Sequence, residues 1–322
     1  RFERILEASG KLEVEYIQPT PDMGAVVSPS ADLYLVDYEL DKQRGDKHVT
    51  YKGSTLVTAI REKAPDYPIV LITRNSIVDS RQKEELQDEL RIDDVVYKGE
   101  VATDESFRFA DKLVSLVSGF ETLRNISPGQ RDWSALTQAI NAHPDQSDLV
   151  LRARPPLYHD RGTPEWSVSR MAWWIRNTLL AYPGILYDPV YAATELRISV
   201  DSFLLPDVQQ LFAAAKYTGI FDPDDGRWWR ELLWQKAMEY VQDTDFAGNF
   251  SEVFQTNTGI GLEPATSIVR GEKPADAVCH ILHEPVMYKY TLAYRPDNRP
   301  AVMDPARVSF TAIQQCYDQI QR

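Results

Sequence analysis

Hydrophobic and polar positions along residues 1 to 126 fall into two alternating rhythms. "FERILEAS" and "GSTLVTAIREKAP" carry apolar residues at the three-and-four spacing of a helix, the second closed by Pro65. "KLEVEYIQ" alternates with period two, whereas "DLYLVDYEL", "YPIVLITR" and "DDVVYKG" are apolar on both faces. Between and after them, "SRQKEELQDELR" predicts a very polar helix and "DESFRFADKLVSLVSGFETLRN" a long amphipathic one. Strands apolar on both faces and separated by helices predict a parallel sheet covered on both sides.

Past residue 126 the rhythm changes. "SPGQRDWSALTQAINAHP" predicts a short helix opened by Ser127 and Pro128, and "RARPPLYHDRGTP" a proline-rich connection, so residues 127–162 form a helix and linker. Residues 163–322 then predict a mainly helical α+β domain. Thr163, Pro164 and Glu165 open "EWSVSRMAWWIRNTLLAY", which Pro183 and Gly184 close. Further helices are expected over "PVYAATELRI", over "PDVQQLFAAAKYTG" with Gly219 as its C-terminal cap, and over "GRWWRELLWQKAMEYVQ". Short strands are expected near 265–310, around "VMYKYTLAYR", before a last helix at "FTAIQQCYDQI".

Composition narrows the class. With 322 residues, 43% hydrophobic and 26% charged, the chain is long enough for two globular cores. No apolar run reaches the length of a bilayer span, the beginning "RFERILEASG" lacks the apolar stretch of a signal peptide, and two cysteines cannot make a disulfide framework. A reducing cytoplasm is therefore the expected compartment. The net charge of -13 argues against nucleic acid as the main partner.

Candidate chemistry lies at the strand ends. Ligands of open α/β sheets sit beyond the carboxyl ends of the strands, where Asp37 follows "LYLV", Thr73 follows "IVLI" and Lys98 follows "VVY". A carboxylate, a hydroxyl and an ammonium can together handle a phosphoryl group: one attacks, one hydrogen-bonds a phosphoryl oxygen and one pairs another. The order and spacing of these residues resemble the receiver domain of bacterial two-component response regulators, over about residues 1 to 122 of a domain expected to span 1–126. The resemblance implies a flavodoxin-like doubly wound sheet with Asp37 as phosphoacceptor, Thr73 as switch hydroxyl and Lys98 as phosphate-binding lysine. It also implies Mg²⁺ held by Asp37 and the backbone carbonyl of Glu39.

The chain departs from the family pattern at several positions. Gly53 comes late after Asp37, Gly99 stands where proline follows the lysine, and Val95 occupies the aromatic switch position, with Tyr97 nearby. The family's metal-binding acid pair ends a strand before its first helix. The resemblance therefore implies either an apolar strand ending in two acids upstream of "RFERILEAS", the favoured expectation, or another element that fills its place in the sheet.

No motif in residues 127–322 identifies a family. Trp166, Trp173, Trp174, Trp228, Trp229 and Trp234 fall on two predicted helices and read first as core. "CHILH" places Cys279, His280 and His283 close together, yet no second ligand pair with zinc spacing follows. Arg152, Arg154, Arg161, Arg170 and Arg176 read as a solvated face with internal ion pairs, or as a receptor for an acidic partner.

The expected protein is a cytoplasmic regulator, in which phosphoryl acceptance at Asp37 controls a C-terminal interaction module. Its partners would be a histidine kinase or phosphotransfer protein, a protein bound by the C-terminal domain, and a second copy in a homodimer. One alternative is a pseudo-receiver, a docking or dimerisation module independent of phosphate. Another is an enzyme with its active site in the C-terminal half.

Overall fold

The computed structural model describes residues 2–27, 30–42, 49–74, 92–103, 108–126, 132–146, 150, 167–241, 246–294 and 305–316. The chain is a mixed α/β protein that divides into two compact units. One comprises Arg1–Ala139 with Pro156–Ile175, the other Ile140–Pro155 with Arg176–Arg322.

The first unit is built on a parallel sheet of three strands, β1 (Tyr34–Asp37), β2 (Ile69–Thr73) and β3 (Asp94–Tyr97), in the order β1-β2-β3. Every residue of the middle strand is buried, as its unbroken apolar run requires. Helix α1 (Phe2–Glu7) opens the unit, and α2 (Gly53–Lys63) crosses from β1 to β2. Leu56, Val57 and Ile60 of α2 close a core with Tyr34, Val36, Ile69, Leu71 and Val95. Helix α3 (Lys98–Ala102) starts directly where β3 ends, and α4 (Arg108–Asn125) follows. The stripe Phe109, Leu113, Leu116, Phe120 and Leu123 runs along one face of α4 and is buried.

Helices α5 (Trp133–Ala139) and α6 (Val168–Trp174) also belong to this unit, which thus extends past the boundary expected at residue 126. Packing explains part of the difference: α6 lies against α4, and the Ser169 hydroxyl donates to the Pro65 carbonyl at 2.7 Å. The cap of α6 is Ser167, whose Oγ accepts from the Arg170 N–H. The expected cap at Thr163–Glu165 lies outside the described residues, as do the predicted helix over 80–91, the helix opening at Ser127 and Pro128, and the connection from Arg152 to Pro164.

In the second unit, β4 (Leu186–Tyr187) is followed by helices α7 (Pro189–Glu195), α8 (Val200–Phe203) and α9 (Pro206–Leu211). Strand β5 (Trp228–Trp229) pairs with β4, and α10 (Arg230–Val241) and α11 (Phe246–Thr258) complete an aromatic core. There Phe212 stacks on Phe254 at 6.2 Å, and Phe203 meets Trp228 edge-on at 4.8 Å. A four-stranded sheet in the order β7-β6-β9-β8 is formed by β6 (Ala277–Cys279), β7 (Glu284–Val286), β8 (Thr291–Ala293) and β9 (Arg307–Ser309). Helix α12 (Phe310–Gln315) follows, capped by Ser309.

Several local expectations change. "KLEVEYIQ" forms no strand: period two makes a strand only where a neighbouring edge takes up its backbone N–H and C=O groups. Trp228 and Trp229 belong to a strand instead of the helix predicted through them. Trp228 pairs with Tyr187 on one side and bridges Lys216 on the other, which commits this backbone to extended pairing. Gly219 does not end a helix, since α9 stops at Leu211. A Cβ at Gly219 would sit 2.4 Å from the Ile140 carbonyl oxygen, so glycine is required for close backbone approach.

Candidate functional site

The parallel register sets Asp37 beside Ile72 and Thr73 beside Tyr97, so β1, β2 and β3 end at one edge of the sheet. Asp37 ends β1, Thr73 ends β2, and Lys98 is the first residue of α3. The three residues predicted from the sequence thus lie at or just past the carboxyl ends of successive strands.

Two of them are in direct contact. The Lys98 ammonium lies 2.5 Å from Asp37 Oδ2, with both side chains partly buried. The other carboxylate oxygen, Oδ1, accepts the Glu39 N–H at 3.1 Å, a local turn of the kind aspartate forms two residues ahead of an amide. Thr73, on the strand between them, is only 3% exposed. The result is an anion held by one ammonium and one amide, beside a buried hydroxyl.

The surrounding backbone is tightly fitted. Tyr38 N–H donates to the Ile72 carbonyl at 2.8 Å and Gly53 N–H to the Tyr38 carbonyl at 3.0 Å, which brings the first residue of α2 against the end of β1. A Cβ at Gly53 would fall 2.2 Å from the Asp37 carbonyl oxygen. The late glycine is therefore the residue that lets the helix approach the site. Gly99 has a different role: a Cβ there would lie 2.4 Å from a Tyr97 ring carbon, so the aromatic ring occupies the space beside the residue after the lysine. Among the described residues the cis peptide is Lys273–Pro274, and Lys98–Gly99 is trans. Val95, at the expected aromatic position, is core.

The residues at hand do not by themselves make a Mg²⁺ site. Magnesium takes six oxygen donors, usually one or two carboxylates with waters and phosphate oxygens. Here both Asp37 oxygens already accept hydrogen bonds, one of them from a cation, and among the described residues no group of three or more His, Cys, Asp or Glu side chains is placed to hold a metal. Asp37 and the Glu39 carbonyl are too few ligands.

At the opposite end of the sheet are charges whose role is structural. Asp93 is 3% exposed, accepts the Ile69 N–H at 2.8 Å and pairs with Arg61 at 2.5 Å, while Arg61 also donates to the Tyr67 carbonyl. Asp94 pairs with Lys112 of α4 at 2.6 Å. The acids of "DDVVY" thus fasten β3 to the helices around it.

In the second unit the "CHILH" residues part ways. Cys279 is buried, and its sulfur accepts the Ser309 N–H at 3.3 Å. His280 packs its ring 5.8 Å from that of Tyr294, and burial pushes its pKa down. His283 turns the other way, to Asp188, a partner no sequence signal links to it. Of the tryptophans, Trp174, Trp228 and Trp229 are core as expected, Trp234 is 38% exposed, and Trp166 lies outside the described residues. Arg152, Arg154 and Arg161 lie outside them too, which leaves Arg170 in the first unit and Arg176 in the second. No described helix is long and apolar enough to cross a membrane. No family model, curated protein or solved structure matches the chain.

Proposed function

We propose that the chain is an atypical receiver-like signalling protein of flavodoxin-like design, in which Asp37 accepts a phosphoryl group and thereby controls the second unit. The observation that carries this reading is the contact of Lys98 with Asp37 at the carboxyl edge of a parallel sheet, with Thr73 on the strand between. An Asp37 oxygen attacks the phosphorus of a phosphohistidine on a donor protein. A P–O bond forms, the P–N bond breaks, and the released imidazole takes a proton from water.

The product carries more negative charge than the carboxylate it replaces, and three acceptor oxygens instead of two. Lys98 then pairs with a phosphoryl oxygen, and the Thr73 hydroxyl donates to another. Since Lys98 is also the first residue of α3, its displacement moves the start of that helix. Mg²⁺ belongs to the proposal only through ligands beyond those described.

Gly99 in place of proline after Lys98 and the late Gly53 after Asp37 favour a second reading, a pseudo-receiver in which the Asp37–Lys98 pair is a fixed element of a docking or dimerisation surface. Intact mass after incubation with a small acyl phosphate, with and without Mg²⁺, separates the two. Phosphoryl acceptance predicts one added phosphoryl group on the wild type and none on Asp37→Asn. An unmodified wild type under both conditions leaves the pseudo-receiver.

A further inference from the structure

We propose that His283 and Asp188 form a pH-set latch that fastens the turn between β6 and β7 to the first turn of α7. Asp188 is the N-cap of α7: its Oδ1 accepts the N–H groups of Val190 at 2.9 Å and Tyr191 at 3.0 Å. Its Oδ2 faces His283 Nε2 at 3.1 Å. One carboxylate therefore serves a helix terminus with one oxygen and the hairpin turn with the other.

The turn is built to deliver the imidazole. His283 adopts φ +53, a left-handed conformation uncommon for a residue other than glycine, asparagine or aspartate, and its N–H donates to the Cys279 carbonyl at 2.7 Å. Its ring lies 5.8 Å from that of Tyr191, and half of its side chain is exposed, so water can deliver and remove the proton. Asp188 is largely buried, only 14% exposed, which strengthens its interaction with a charged partner.

The other charges facing the pair are Arg227 and Asp225, before β5, and His280 in the same turn. Arg227 is held by Asp225 at 2.7 Å and donates to the Leu180 carbonyl, and the two charges act on His283 in opposite directions. The hydrogen bond that His283 donates to Asp188 dominates, raising the His283 pKa against the effect of burial. Burial and the nearby His283 charge lower that of His280, so the two histidines do not charge together.

The direction follows. A group whose folded pKa is raised contributes stability below its unfolded value and loses it as pH rises through the folded value. The latch is therefore an imidazolium–carboxylate pair at mildly acidic pH and at most a neutral hydrogen bond at alkaline pH.

Imidazole NMR titration of the full chain, with hydrogen-exchange protection of the Val190 and His283 amides, tests this. The wild type is expected to titrate His283 above about 6.5, with a several-fold loss of protection across that midpoint. Asp188→Asn keeps a capping oxygen but removes the charge, and should lower the midpoint. His283→Asn, which tolerates the positive φ, should abolish the break in protection. A wild-type midpoint at or below the ordinary value, a midpoint unmoved by Asp188→Asn, or protection that does not change across the titration would overturn the proposal.

Discussion

Gly53 opens α2 against the backbone of Asp37, so close that a Cβ would fall 2.2 Å from the Asp37 carbonyl oxygen and 2.8 Å from the Tyr38 Cα. The contacts are backbone on both sides, and no side-chain movement can relieve them. Gly53→Ala should therefore destabilise the first unit by about 1–3 kcal/mol, despite the roughly 1 kcal/mol that alanine gains over glycine inside a helix. Urea unfolding monitored by circular dichroism reads the difference. An unchanged or higher midpoint would mean that the helix start yields more easily than this packing implies.

Lys98 is the cation at Asp37 and the start of α3. Lys98→Gln keeps much of the side chain but removes the charge that would pair with a developing phosphoryl anion. Losing one such electrostatic contact typically costs on the order of 10²-fold in rate. The initial rate of phosphoryl incorporation should fall by about that factor, with the unfolding midpoint little changed. An equal rate in wild type and variant would remove Lys98 from the site.

Arg61 and Asp93 form a buried pair that also holds the Ile69 N–H and the Tyr67 carbonyl. Asp93→Ala leaves the guanidinium without its carboxylate and the Ile69 amide without its acceptor, and a broken buried pair costs about 3–5 kcal/mol. Asp93→Asn should cost less, since an amide oxygen can still accept from Ile69. Chemical denaturation of both variants checks the order; equal costs would contradict it.

The pH dependence of the second unit follows from the Asp188–His283 pair. Burial raises the Asp188 pKa, but hydrogen bonds from His283 and Tyr191 and the facing positive charges outweigh it, and the net shift is downward. A depressed carboxylate contributes stability above its unfolded value, near 3.9, and loses it as pH falls through the folded value. The raised histidine loses its contribution as pH rises past about 6.5. The pair's contribution should peak between these limits, and the pH profile of thermal stability should be flatter on both sides in Asp188→Asn. An identical profile for wild type and variant would contradict it.

The first unit's sheet was legible because burial on both faces leaves a direct mark: "LYLV", "IVLI" and "VVY" are unbroken apolar runs, and the polar residue ending each run lies at the sheet's carboxyl edge. The contacts that shape the site were not. That Gly53 touches Asp37 depends on how the segment between them folds back, and spacing alone does not encode it. The same holds for Asp188 and His283, which an N-cap and a hairpin turn bring together from distant parts of the chain. "GRWWRELLW" misled for another reason. Its apolar residues fit helical spacing, but pairing with Tyr187 draws Trp228 and Trp229 into a strand, and tertiary pairing overrides a local pattern.

A phosphoryl group carried by Asp37 can be located by chemical trapping. Borohydride reduces an acyl phosphate to the alcohol, so a phosphorylated aspartate becomes homoserine and peptide mass spectrometry reads its position. After exposure to an acyl phosphate donor, homoserine is expected at position 37 in the wild type and at no other acid, with Lys98→Gln reduced in yield. An unmodified Asp37, or trapping at a different carboxylate, would contradict it.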